Sequence, residues 1–155
     1  MKPTIIITGC GYKPINHIYR YIGKSSHNTI PIEGKGYKMN IGTAVSYYLA
    51  KKGIPIIMVS KTEDKLKKIK EGLVNLGCKE NLVSYIASDI ATDEGVDFLV
   101  KSLPKDRTFY WVQSIGMGGG MYKAPNDNIY LPFEQIPPNL ISAEADIVIA
   151  THRLM

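Results

Sequence analysis

The chain is 155 residues long, enough for one domain with a real core, and its 45% hydrophobic and 21% charged content is that of an ordinary globular protein. Cys10 and Cys78 have neither metal-binding nor redox spacing, and the opening MKPTIIITG holds too short an apolar run for a signal-peptide core or a membrane span. The net charge of +5 lies largely in Lys65, Lys67, Lys68 and Lys70 of one helical segment, where a solvated face explains it without nucleic acid. The expected setting is therefore cytoplasmic, with no nucleic acid, membrane or metal as partner.

Ile5 to Thr8 reads as a short buried strand running into Gly9. After the segment 10–39, Asn40-Ile41-Gly42-Thr43-Ala44 opens a helix in which Ile41, Ala44, Val45, Tyr48 and Leu49 form one buried stripe. Lys51 and Lys52 favour its C-terminus, and Gly53 stops it. Ile54 to Val59 is a continuous apolar run, the mark of a parallel strand covered on both faces, with Ser60-Lys61 at its tip. Thr62 then caps a second helix, with Glu63 and Asp64 against its dipole, Leu66, Ile69, Leu73 and Leu76 along its buried face, and Gly77 at its end.

Leu82 to Ala87 is a third strand closing at Ser88-Asp89, and Val96, Leu99, Val100 and Leu103 mark a third helix stopped by Pro104. Thr108 to Val112 is a fourth strand rich in aromatic and β-branched residues. A glycine- and proline-containing loop follows from Ser114 to about Pro138, and Ser142 caps a last helix still running at Met155. The only repeat is Gly11-Tyr12-Lys13, which recurs as Gly36-Tyr37-Lys38, by chance or by local duplication.

Strands alternating with crossover helices specify a single α/β domain over 1–155, a Rossmann-like doubly wound parallel sheet of strand order 3-2-1-4, with ligands expected where the order reverses. Strand, glycine turn, helix, strand and polar tip is the layout of a dinucleotide site, which makes a nicotinamide cofactor the expected partner. Positive potential would suit a phosphorylated one.

The stretches IIITG (5–9), NIGTAVSYYLAKKG (40–53), IPIIMVSKTEDKL (54–66), YIASDI (85–90) and WVQSIG (111–116) resemble, in order and spacing, the N-terminal half of the short-chain dehydrogenase/reductase family. The resemblance implies that Thr8, Gly9, Asn40, Ile41 and Gly42 form the turn and helix start facing the pyrophosphate. Asn40 stands where the family has its middle glycine, and asparagine tolerates the positive φ such a turn would need. Ser60, Lys61 and Thr62, with no carboxylate before Glu63, imply room for the 2′-phosphate of NADP, with NAD less favoured; Lys61 also reads as a plain loop lysine. Asp89 and Ile90 match the adenine position, although Asp89 reads equally as a helix cap. Gln113, Ser114 and Gly116 stand where the family approaches its cofactor with Asn-Asn-Ala-Gly.

The resemblance implies an NADP(H)-binding portion of an oxidoreductase that moves hydride to or from a carbonyl or alcohol. The alternative is a catalytically inactive nucleotide-binding or scaffold module. Two departures bear on the choice. The segment 10–39 is an insertion in the glycine turn, expected to project as a lid over the phosphates. The family's catalytic Tyr-x-x-x-Lys would fall beyond Met155, so no catalytic residue is expected in this chain, which reads as truncated. An uncovered fourth-strand edge would then favour a second copy or a complementary C-terminal chain as partner.

Overall fold

The computed structural model describes residues 3–15 and 28–114. The tip of the insertion, the loop after Ser114 and the expected last helix lie outside the described residues. In chain order the elements are β1 (Thr4–Thr8), β2 (Tyr12–Pro14), β3 (Thr29–Ile32), β4 (Lys35–Met39), α1 (Ile41–Lys51), β5 (Ile56–Ser60), α2 (Glu63–Asn75), β6 (Val83–Ala87), α3 (Asp93–Ser102) and β7 (Phe109–Gln113).

Alternating burial builds the main sheet. Ile7, Ile56 and Met58 pack with Leu66, Ile69 and Leu73 of α2 on one face. Ile6, Ile57 and Val59 pack with Leu99 of α3 on the other. Strands apolar on both faces need helices on both faces, and each fully buried side chain of this size contributes about 1.5–3 kcal/mol. The strands lie in the order β6-β5-β1-β7, all parallel, which is the 3-2-1-4 arrangement expected. Thr8 stands level with Val59 on one side and Gln113 on the other, so the carboxyl ends of β1, β5 and β7 share one edge.

The insertion forms a second, antiparallel sheet of order β2-β4-β3. Glu33 and Gly34, both at positive φ (49° and 76°), make the two-residue turn between β3 and β4, whose twist suits a tight hairpin. The repeated tripeptide pairs with itself: Lys13 lies opposite Lys38, and the Tyr12 and Tyr37 rings meet edge to face at 5.0 Å.

The described part of the insertion departs from a lid standing over the turn. Ile30, Ile32 and Met39 are buried in the same cluster as Leu66, Ile69 and Leu73, so this small sheet docks sideways on α2. Its apolar face requires a cover, and α2 provides one by leaving out a side chain. A Cβ at Gly72 would meet Ile30 Cγ1 at 2.5 Å and the Pro31 carbonyl oxygen at 2.7 Å. Lys68 reinforces the contact by reaching Glu33 at 2.9 Å and Asp64 at 3.1 Å, a modest gain at the surface.

Gly72 therefore reverses the usual rule for helix interiors. An exposed Gly→Ala change in a helix stabilises by about 0.5–1 kcal/mol, whereas overpacking costs about 1–3 kcal/mol. Gly72→Ala is expected to lower stability in urea unfolding; an unchanged or raised midpoint would mean that β3 does not press on α2.

Candidate functional site

The first component of the site is the junction of β1 with α1. Gly9 takes a φ of 74°, which a side chain would resist, and donates its amide to the Val59 carbonyl at 3.0 Å. A Cβ at Gly42 would lie 3.0 Å from the Gly9 carbonyl oxygen, so the start of α1 abuts the turn closely only because Gly42 lacks one.

Asn40 holds this junction together, though not by the backbone route that the sequence suggested. Its φ of −78° and ψ of 177° are extended, and no positive φ is needed. Its side chain supplies the closure. Asn40 Oδ1 accepts from the amides of Gly11 and Thr43, each at 3.0 Å, and Nδ2 donates to the Gly9 carbonyl at 2.6 Å. Thr43 adds to the closure, its Oγ1 accepting from the Gly11 amide at 2.9 Å and donating to the Gly11 carbonyl at 2.8 Å. Asn40 thus caps α1 and ties the base of the insertion. Gly11 and Thr43 were not among the site residues expected from sequence; Thr43, three residues after Asn40, is where a capped amide falls.

The second component is a cleft of about 150 Å³ lined by Gly9, Val59, Ser60, Lys61, Ser88, Asp89, Ile90 and Ala91. Complete small-molecule sites run to about 300–1,000 Å³, so this space suits one ring system rather than a whole dinucleotide. Ser88 shapes its floor, the amide donating to the Ser60 carbonyl at 2.9 Å and the hydroxyl to the Gly95 carbonyl at 2.6 Å. Val59, Ser88 and Ala91 were missed from sequence, although their place at or just past the strand tips carried the signal.

Lys61 and Asp89, both of which line this cleft, form an ion pair at 2.8 Å. Burial pushes the Asp89 carboxyl up, but the Lys61 ammonium and the Ala91 amide, which donates at 3.1 Å, outweigh it and hold the group below its ordinary value. Asp89 does not cap α3; Thr92 does, accepting from the Gly95 amide at 3.0 Å.

The remaining expected residues divide. Thr8 is wholly buried beneath the turn, and among the described residues its hydroxyl has no hydrogen-bond partner. Ile41 is 75% exposed at the start of α1. Thr62 precedes α2 without a side-chain capping bond. The Ile90 side chain is buried with Leu99, leaving its backbone to the cleft. Gln113 and Ser114 lie at the end of β7, outside the cleft, and Gly116 lies outside the described residues. Five of the expected positions, Gly9, Ser60, Lys61, Asp89 and Ile90, are brought together.

The bare Tyr-x-x-x-Lys spacing does occur, at Tyr47/Lys51 and Tyr48/Lys52. Both pairs lie at the C-terminal end of α1, with Lys52 as its C-cap, where Lys51 Nζ donates to the Leu76 carbonyl at 3.1 Å, at the opposite end of the helix from Gly42. Neither is part of the site. Among the described residues no cluster of histidine, cysteine, aspartate and glutamate could hold a metal ion, and no helix is long and apolar enough to cross a membrane.

No family model matches the chain, and no curated protein matches it in sequence. Solved structures do. A short-chain dehydrogenase from Mycobacterium smegmatis aligns with a TM-score of 0.65 at 15% identity, over 99% of this chain and 48% of its own. A variant of actinorhodin polyketide ketoreductase with NADPH aligns at 0.63 and 13% identity, over 99% and 44%. L-sorbose reductase from Gluconobacter frateurii, complexed with NADPH and L-sorbose, aligns at 0.55 and 20% identity, over 99% and 44%. The chain spans about half the length of these structures, and the likeness is one of fold.

The ion pair makes a titration prediction. Because the folded value of Asp89 lies below the unfolded one, its stabilisation is present above the unfolded carboxylate range, about pH 4, and is lost as pH falls through the folded value. In Lys61→Ala, burial is opposed only by the Ala91 amide, so the Asp89 carboxyl is expected to titrate higher. A carboxyl-detected NMR titration reads this directly, and an unmoved midpoint would contradict the pairing.

Proposed function

We propose that the chain binds a nicotinamide dinucleotide, NADP(H) in preference to NAD(H), as the cofactor-binding portion of an oxidoreductase that acts between a carbonyl and an alcohol. The observation that carries this reading is the cleft formed by Gly9, Ser60, Lys61, Asp89 and Ile90 at the carboxyl ends of a parallel 3-2-1-4 sheet, where such sheets take their ligands. Two of the solved structures similar in fold hold NADPH.

The residues present suit the group. The absence of a Cβ at Gly42 leaves the start of α1 close against the turn, where amides and the helix dipole favour a pyrophosphate. Asp89 places a carboxylate acceptor in the cleft for an exocyclic amine, and Val59 and Ile90 line it beside Asp89. The tip of β5 carries no acidic residue to hold both ribose hydroxyls, which favours a phosphorylated ribose over a bare one. When bound, the nicotinamide supplies the hydride chemistry; the residues of this chain bind, orient and shield it.

The second reading, an inactive nucleotide-binding module, is favoured by one observation: both Tyr-x-x-x-Lys pairs lie in α1, away from the cleft. Under the first reading, the proton donor and substrate pocket lie outside the described residues, and a partner chain is one source of them. Tyr110 of β7, 60% exposed, stands on an edge open to such a partner among the described strands.

Calorimetry is expected to show NADPH binding at least about tenfold more tightly than NADH, the size of one charge-assisted contact. Equal affinities would contradict the phosphate preference. The purified chain alone is expected to oxidise no NADPH across a panel of aldehydes and ketones, since lack of acid–base help alone costs about 10²–10⁴-fold. Turnover would place the acid or base within these 155 residues.

A further inference from the structure

Lys61 is the obvious cation at the tip of β5, but its charge is already balanced. The Asp89 carboxylate lies 2.8 Å from its ammonium, so a phosphate approaching Lys61 also approaches an anion. A second cation stands nearby in a different condition. Lys65 stands in the first turn of α2. Its Nζ lies 5.3 Å from the centre of the Tyr12 ring, over its face, and would be 3.9 Å from a Cβ placed on Gly11. Among the described residues it forms no ion pair.

Gly11 is two residues past Gly9, which lines the cleft, and its amide is tied to Asn40 at the head of α1. The Lys65 ammonium therefore lies beside the glycine turn, at the opening of α2 that follows the cleft's Ser60 and Lys61. A nucleotide whose base occupies the cleft and whose pyrophosphate faces the start of α1 brings its ribose between these two places. Tyr12 is fixed in turn by the Tyr37 ring at 5.0 Å and by pairing of β2 with β4. Both tyrosines belong to the insertion.

We propose that Lys65 discriminates the 2′-phosphorylated dinucleotide from the unphosphorylated one, and that the insertion serves this by holding the Lys65 ammonium over Tyr12. Lys65 contacts the phosphate; Tyr12 is a positioning residue that acts through it. Lys61 is secondary, because Asp89 neutralises it. This inference rests on the cofactor reading above and assigns its selectivity to one side chain.

Adenosine 2′,5′-bisphosphate and AMP, titrated calorimetrically, separate the phosphate term from the rest of the site. In Lys65→Met the affinity for the bisphosphate is expected to fall about ten- to hundredfold, the range of a charge-assisted bond, while AMP affinity stays put and serves as the control for folding. Lys65→Arg should restore most of the loss. Tyr12→Leu should weaken the bisphosphate several-fold in the parent and have no further effect in Lys65→Met, which a merely structural role for Tyr12 would not produce. Lys61→Met should change the ratio of the two affinities by less than about threefold, as expected for an exposed cation already paired. Loss of the preference in Lys61→Met with the ratio intact in Lys65→Met would overturn the assignment while leaving the cofactor reading standing. Failure of the parent chain to bind either nucleotide would overturn both.

Discussion

The hydrogen bonds of the Asn40 side chain are what the rest of the site depends on. A nucleotide-binding turn must bring the end of β1 and the start of α1 within contact distance, and Gly42 against Gly9 shows that this contact is made. In this chain the two halves of the turn are separated by an insertion, with Gly11 and Asn40 29 positions apart. Chain connectivity cannot hold them together over that length, since closing a long loop carries an entropic cost that must be met by contacts. Asn40 meets it with bonds to Gly9, Gly11 and Thr43. An N-cap alone is worth about 0.5–2 kcal/mol, and here the same amide group also satisfies the strand end and the base of the insertion.

That closure decides where the insertion goes. Tied at Gly11 and Asn40, and with one face made of Ile30, Ile32 and Met39, the small sheet must find an apolar partner near the first turn. The partner is α2, whose missing side chain at Gly72 admits β3. Docking sideways brings Tyr12 to the first turn of α2, under Lys65. The lysines that inflate the net charge on this helix thus have distinct circumstances. Lys68 pairs with Glu33 and Asp64, Lys70 with Glu80, and Lys65 lies against an aromatic face at the site.

Much of the scaffold was legible because its signals are local. The unbroken apolar run into β5 required burial on both faces, and the strand order followed from alternation and handedness. The glycines at 53 and 77 marked the ends of α1 and α2 within two residues. What sequence could not supply was the choice between backbone and side-chain roles. Asn40 reads as a glycine substitute from its place in the pattern, whereas its amide group, not its φ, closes the turn. Asp89 reads equally as an adenine contact and as a cap, but Thr92 three residues later takes the capping role and leaves Asp89 to Lys61. Gly72 and Glu33-Gly34 were not singled out from sequence, because neither a glycine inside a helix nor a turn pair names the partner it packs against.

The central claim is that one side chain closes the turn across the insertion, and amide hydrogen exchange at Gly11 tests it most directly. Gly11 belongs to no regular hydrogen-bonded ladder, so its protection reports the Asn40 and Thr43 bonds themselves. The account predicts that the Gly11 amide exchanges as slowly as those of β1 and the core of α1, and that Asn40→Ala speeds it together with Thr43. Fast exchange at Gly11 in the parent chain, with β1 and α1 protected, would contradict it.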